Sequence, residues 1–162
     1  YVKLLTGVAN KLKAKYDIIL VPNEIRPDRT KGKDDQFLCK TLYNEFEDKS
    51  GVYYFEGYYS AEEIKAVIRT TDYVIASRFH SLVFALSLGI PCIAISWAHK
   101  YRELFKLFGM EQFVVEDTKM NEAAILQLFD QLVAEQSQWE YKINSTLPEL
   151  KQRNAGVFDL LN

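Results

Sequence analysis

Apolar positions along this chain follow two alternating rhythms. Between Tyr1 and Ala14, Leu5, Val8 and Leu12 share one helical stripe. Asp17-Ile18-Ile19-Leu20-Val21-Pro22 is a short continuous apolar run, the pattern of a strand covered on both faces. Leu38, Leu42 and Phe46 return to helical spacing across Asp34 to Asp48, with acids at the leading end where the helix dipole favours them. Val52-Tyr53-Tyr54-Phe55 reads as the next strand, and Ser60-Ala61-Glu62-Glu63 as a capping box opening a helix with Ile64, Val67 and Ile68 on one face. A strand at Tyr73–Ala76, a helix at His80–Leu88 and a strand at Cys92–Ser96 follow. A helix near Tyr101–Phe108 closes on Gly109, and Phe113-Val114-Val115 reads as a last short strand. Asn121 caps a helix carrying Ile125, Leu128, Phe129, Leu132 and Val133. From Trp139 the tail is amphipathic, and Pro148 predicts a kink or an end.

Short apolar strands alternating with helices predict an α/β domain, an open parallel sheet flanked by helices in the Rossmann-like manner. The expected division is a domain over 1–138 and a helical tail over 139–162. A doubly wound domain normally opens on a strand, whereas the pattern here opens on a helix. The expectation is therefore a C-terminal piece that lacks its first strand and an N-terminal partner domain of the same protein. Ser81 to Ala98 runs for 18 residues without a charge, long enough to suggest a membrane span. Gly89-Ile90-Pro91 cuts it in two, which predicts a core helix followed by a core strand.

The chain has 162 residues, is 48% hydrophobic and carries a formal net charge of -2. That balance argues against nucleic acid as a partner and makes any anion site a local feature. Cys39 and Cys92 stand alone in sequence, so neither a disulfide framework nor a zinc site is expected, and a reducing, cytoplasmic setting is. No secretory leader is visible. No group of Asp, Glu, His and Cys has metal-ligand spacing, which leaves a metal-free, cofactor-free mechanism as the expectation.

The chemistry gathers at Ser77-Arg78-Phe79-His80, where a buried strand runs straight into a helix. A helix N-terminus offers unpaired N–H donors and partial positive charge, and so attracts phosphate or carboxylate. Arg78 adds a planar fork suited to the same anions. One of the two histidines, His80, adds a group whose proton moves near neutral pH. Ser77 reads as a cap or a ligand contact rather than a nucleophile. In such sheets ligands lie beyond the carboxyl ends of the strands. That rule brings 23–33, with Arg26, Arg29, Lys31 and Lys33, together with 56–59, 77–80 and 97–100. Lys100 is a further point charge for phosphate, and His99 a solvated neighbour. Tyr53, Tyr54, Tyr58 and Tyr59 read as packing residues before a sugar-binding edge.

Ser77-Arg78-Phe79-His80, an apolar helix, Gly89-Ile90-Pro91, another strand and Lys100 together resemble the polysaccharide pyruvyl transferase family. The run-in Tyr59-Ser60-Ala61-Glu62-Glu63-Ile64 and Thr71-Asp72-Tyr73-Val74-Ile75 resembles it too, and the likeness spans about Asp17 to Val115. Phe79 and Trp97 depart from the family's usual Leu and Tyr, which touches pocket shape more than charge. The resemblance implies a fold like the C-terminal half of a GT-B glycosyltransferase. It also implies transfer of pyruvate from phosphoenolpyruvate to sugar hydroxyls of a bacterial surface polysaccharide, forming a ketal. His80 would be catalytic, with Ser77, Arg78, Phe79, Lys100 and Arg26 binding substrate. The partners would be this small-molecule donor and a sugar or lipid-linked oligosaccharide acceptor, the latter bringing the enzyme to a membrane surface peripherally. The competing readings are a nucleotide-sugar glycosyltransferase domain, for which Glu56 is the candidate acid, and a non-catalytic anion-binding domain.

Overall fold

The computed structural model describes residues 1–25, 34–96, 98–116 and 120–159, with side chains as far as Arg153. Strands and helices alternate as the hydrophobic rhythm requires. In order they are α1 (Val2–Leu12), β1 (Ile18–Leu20), α2 (Asp35–Asn44), β2 (Val52–Tyr54), α3 (Ala61–Ile68), β3 (Val74–Ala76), α4 (Phe79–Ser87), β4 (Cys92–Ile95), α5 (His99–Lys106), a 3-10 turn (Glu111–Phe113), β5 (Val114–Val115), α6 (Glu122–Ala134) and α7 (Gln136–Asp159). All strand pairs are parallel, and the fold is α/β and Rossmann-like.

The strands form two groups, β1-β2 and β3-β4-β5, where one continuous sheet was expected. Ile18 pairs with Val52, Val74 with Cys92, and Ala94 with Val114. The central strand of the larger group, β4, is buried along its whole length, and Cys92, Ile93 and Ala94 are sealed from solvent. A strand covered on both faces has no polar alternation to show, which is why its sequence is a plain apolar run. Leu82 and Leu86 of α4, Phe105 of α5, and Ile125 and Leu132 of α6 close around it. Each such side chain contributes about 1.5–3 kcal/mol on burial.

The helix ends follow their local chemistry. Ser60 and Glu63 exchange the two bonds of a capping box, at 3.2 Å and 2.8 Å. Asp34 accepts from the Gln36 N–H at 2.8 Å and Asn121 from the Ala124 N–H at 2.9 Å. Gly89 ends α4 at φ 81°, with the Ile90 N–H on the Ala85 carbonyl and the Gly89 N–H on the Leu86 carbonyl, both bonds of a Schellman cap. That tight reversal leads directly into β4.

Two expectations are corrected. α5 begins at His99, two residues early, so His99 and Lys100 ride on its first turn. α7 continues through Pro148. The proline costs one helical hydrogen bond, but Trp139 and Ile143 before it are buried in the core, and Leu147 and Leu150 on either side of it pack against the same cluster. Packing on both flanks holds the helix together across the break. It also makes this tail part of the domain's core, with the Trp139 ring 5.1 Å from that of Phe113. No helix among the described residues is long and apolar enough to cross a membrane.

Two predictions follow from this packing. Gly89→Ala should lower stability by about 1–2 kcal/mol, since a side chain at that φ is strained and its Cβ would meet the Asn144 amide. Urea titration measures this, and an unchanged midpoint would contradict it. The second concerns Cys39, buried on α2: burial first, then the charges of Asp35 and Asp34, push its thiol up from 9.0 to about 12. A raised folded-state value means the stabilisation is complete below about pH 9 and is lost as pH climbs toward 12. Tyr54, likewise pushed up to about 12 by burial first, adds in the same direction. The urea midpoint should fall between about pH 8 and about pH 10.5, and fall less steeply in Cys39→Ala. A flat profile in the parent chain would count against both assignments.

Candidate active site

The carboxyl end of β3 delivers Ser77 and Arg78, and α4 starts at Phe79. Arg78 occupies the N-cap position in extended backbone, and its side chain, which carries only donors, makes no cap bond. The helix's N-terminal N–H groups are therefore available to a ligand. Ser77 does not cap α4. Its carbonyl accepts from the Tyr101 hydroxyl at 2.8 Å, and the Tyr1 phenol lies against it; burial pushes that phenol up and the contact with Ser77 pulls it down.

α5 begins in the same way. Ala98 is its N-cap, again without a side-chain cap, while the Ala98 N–H turns back to the Ser96 hydroxyl at 3.1 Å. The Tyr101–Ser77 bond brings this second helix start against the first. Phe79 forms the floor they share. Its ring meets Tyr101 edge-on at 5.5 Å and His80 edge-on at 6.3 Å. The Lys100 ammonium stands 5.0 Å over Phe79 and 5.6 Å over Tyr101. His80 is exposed, and its ring makes no hydrogen bond among the described residues. Ser77, Arg78, Phe79, His80 and Lys100 are thus gathered in one place.

Arg78 is not the free fork expected from sequence. Its Nε donates to both oxygens of Asp35, at 3.0 Å and 3.1 Å, and its Nη2 donates to Asp35 Oδ1 at 2.7 Å. Nη1 donates to Glu24. Partial burial pulls the guanidinium's pKa down, but the hydrogen bonds and charge of Asp35, with the charge of Glu24, outweigh that and hold it above its ordinary value. The nearly buried Asp35 carboxylate also accepts the Asn23 and Glu24 N–H groups, at 3.2 Å and 2.8 Å. Asn23 Nδ2 donates to the Ser81 hydroxyl at 3.0 Å. The arginine therefore clamps the chain leaving β1 to the start of α4, and one N–H on each terminal nitrogen remains for a ligand.

Sequence reading missed Asp35, Glu24, Asn23 and Tyr101. A signal for Asp35 was present: Asp34 suffices to cap α2, so a second acid beside it is surplus to the cap. Arg26, with Arg29, Lys31, Lys33 and Trp97, lies outside the described residues. Glu56 is exposed and paired with Lys40 at 3.1 Å, so its carboxylate is already engaged. His99 is exposed on α5, 3.5 Å from Glu103. Among the described residues no group of three or more acids, His and Cys could hold a metal ion.

Because Asp35 is nearly buried and Arg78 only half so, their coupling should be about 1–2 kcal/mol. A double-mutant cycle of Asp35→Asn and Arg78→Gln, followed by urea unfolding, measures it. Strictly additive single effects would show that the clamp contributes nothing.

No curated protein and no solved structure matches the chain. The family model described as polysaccharide pyruvyl transferase matches residues 7–99, a span running from α1 through β4 to the first residue of α5 and including Ser77-Arg78-Phe79-His80. That is more than half of the 162 residues, and the chain belongs to the polysaccharide pyruvyl transferase family.

Proposed function

We propose that this chain is the donor-binding half of an enzyme that moves the pyruvyl group of phosphoenolpyruvate onto two hydroxyls of a surface-polysaccharide sugar. The observation that carries this reading is the meeting of two uncapped helix starts, α4 and α5, over Phe79, with His80 on one and Lys100 on the other. Phosphoenolpyruvate presents a phosphate and a carboxylate close together. Backbone donors, helix dipoles and one ammonium suit that pair of anions without any metal. No cofactor enters the mechanism.

The reaction balances as follows. A sugar hydroxyl attacks the enol carbon while the methylene carbon gains a proton and becomes methyl. The bond from the attacked carbon to the phosphate oxygen then breaks, and a second hydroxyl closes the ketal on that same carbon. One hydroxyl proton replaces the proton given to the methylene, and the other leaves with phosphate. His80, exposed at the mouth of the site, is the group we assign to that proton transfer. The helix starts and Lys100 stabilise the departing phosphate. Arg78 holds the loop after β1 in register and turns its two remaining N–H groups toward the donor. Arg26 is assigned to the donor on sequence grounds. The acceptor, a sugar or lipid-linked oligosaccharide, belongs to a second domain of the same protein, at the cytoplasmic face of a membrane.

His80→Ala in the whole enzyme should lower kcat by about 10²–10⁴-fold with an unchanged thermal midpoint, because the ring is exposed and makes no hydrogen bond among the described residues. Calorimetric titration with phosphoenolpyruvate should show saturable binding that weakens about tenfold in Lys100→Ala. Arg78→Lys should weaken it as well, since an ammonium cannot hold Asp35 and the donor together. Near-normal turnover in His80→Ala would overturn the catalytic assignment. Binding of UDP- or GDP-sugars in place of phosphoenolpyruvate would move the site to nucleotide-sugar chemistry.

A further inference from the structure

Tyr53, Tyr54, Tyr58 and Tyr59 read from sequence as packing residues, and the structure divides them. Tyr54 leans on Tyr43 of α2, ring centres 6.0 Å apart and planes 35° from parallel, and Phe55 meets Tyr59 edge-on at 5.9 Å. The Tyr54 hydroxyl donates to the Gln36 carbonyl at 3.2 Å, and the Tyr59 hydroxyl to the Glu56 carbonyl at 3.1 Å. Tyr53 and Tyr58, by contrast, are 53% and 59% exposed. Fixed rings beside open ones make an aromatic surface rather than a core.

That surface has a shape. Tyr43, Tyr53, Tyr54, Phe55, Glu56 and Tyr59 line an open hollow of about 580 Å³ along β2. Among the described residues β2 pairs only with β1. In a parallel ladder, alternate residues turn their N–H and C=O to opposite sides. The Phe55 N–H goes to the Leu20 carbonyl, so the amide and carbonyl of Tyr54 face the free edge. Beyond the end of β2, Glu56 and Lys40 stand 3.1 Å apart, both exposed.

These features select among occupants. Glu56 is the one charged side chain in the lining, and Lys40 neutralises it, so the hollow does not favour an ion. A peptide strand is poorly served by an edge three residues long. A sugar ring suits it. Its C–H faces pack on flat aromatic rings, while its hydroxyls, donors and acceptors at once, meet a carboxylate, an ammonium and backbone groups. Rings already held by one another lose little freedom when covered.

Position adds a second argument. Gln36 Nε2 donates to the Gly57 carbonyl, and Gln36 follows Asp35, the carboxylate that holds Arg78. The hollow therefore reaches the same carboxyl edge of the strands as His80. It is set to one side, since β1 pairs with β2 and lines a cleft with Ile75 of β3 beyond.

We propose that the hollow along β2 is a saccharide subsite, holding sugar units of the acceptor polymer other than the one that reacts. The inference rests on the saccharide acceptor of the function proposed above. It makes the enzyme favour a chain of several sugars over a single one.

The test titrates the isotope-labelled chain with cellotetraose, mannotetraose and chitotetraose, each beside its monosaccharide, followed by NMR. At least one tetrasaccharide should shift the Tyr54 and Glu56 amide signals saturably, with an affinity about tenfold or more above that of its monosaccharide. Tyr53→Leu removes an exposed ring and Glu56→Gln an exposed carboxylate. Each should weaken that binding about tenfold. Phosphoenolpyruvate is titrated separately. Saccharide binding at Tyr54 and Glu56 without phosphoenolpyruvate binding would uphold the subsite and remove the donor reading. Phosphoenolpyruvate binding with no response to any tetrasaccharide would overturn the subsite alone. Shifts that neither variant weakens would overturn it too. So would shifts at Tyr54 that grow with protein concentration alone, because the edge would then be a contact between two copies.

Discussion

The carboxylate of Asp35 is the joint on which the site depends. Its two oxygens receive the Arg78 guanidinium and the N–H groups of Asn23 and Glu24. Among the described residues β1 and β3 share no ladder, so at the carboxyl end of the strands their alignment rests on this side-chain clamp and on the Asn23–Ser81 bond. A nearly buried carboxylate is tolerable only when its lone pairs are filled, and here donors from two other segments fill them. The same bonds that satisfy Asp35 therefore locate the first turn of α4. The Asp35 N–H also meets the Glu24 carbonyl at 3.1 Å, which draws together the two ends of the segment between them.

This joint changes how anion recognition has to work. Arg78 faces two carboxylates, so the cluster of Arg78, Asp35 and Glu24 carries a net negative charge. A phosphate gains little by approaching a guanidinium already neutralised from that side. It gains more at the starts of α4 and α5, where neither N-cap side chain occupies the first-turn N–H groups and Lys100 adds a full charge. The Phe79 ring beneath Lys100 steadies the ammonium. Recognition by backbone and dipole depends on the strand-to-helix geometry more than on any one cation.

Most of the architecture was legible in the sequence because it follows from local rules. Capping at Ser60 and Asn121, the glycine stop at Gly89 and the plain apolar run of β4 each express one short-range preference. What escaped depends on tertiary placement. Pro148 signalled a break, and only the burial of Ile143 and the packing of Leu147 and Leu150 show why the helix persists. Arg78 was readable as a cation beside a helix start, but its partner Asp35 lies 43 positions away and was already explained as a helix-leading acid. The gathering of Phe79, His80 and Lys100 was anticipated from the rule that strand carboxyl ends converge. Their arrangement around one aromatic ring was not, since ring packing leaves no periodic trace.

β1 and β3 are held to each other by Asp35 and Arg78 at one end and through α1 along their length, and among the described residues they share no ladder. A backbone ladder is a stiff restraint, since every second residue is bonded to each neighbour. A side-chain clamp with a half-exposed partner such as Arg78 is softer, because that partner keeps rotamer freedom and water competes for it. Burial of Asp35 offsets part of that softness, since a carboxylate removed from water holds its donors more firmly. The precision of the α4 start, and with it the placing of His80, then derives from side-chain bonds to one buried carboxylate.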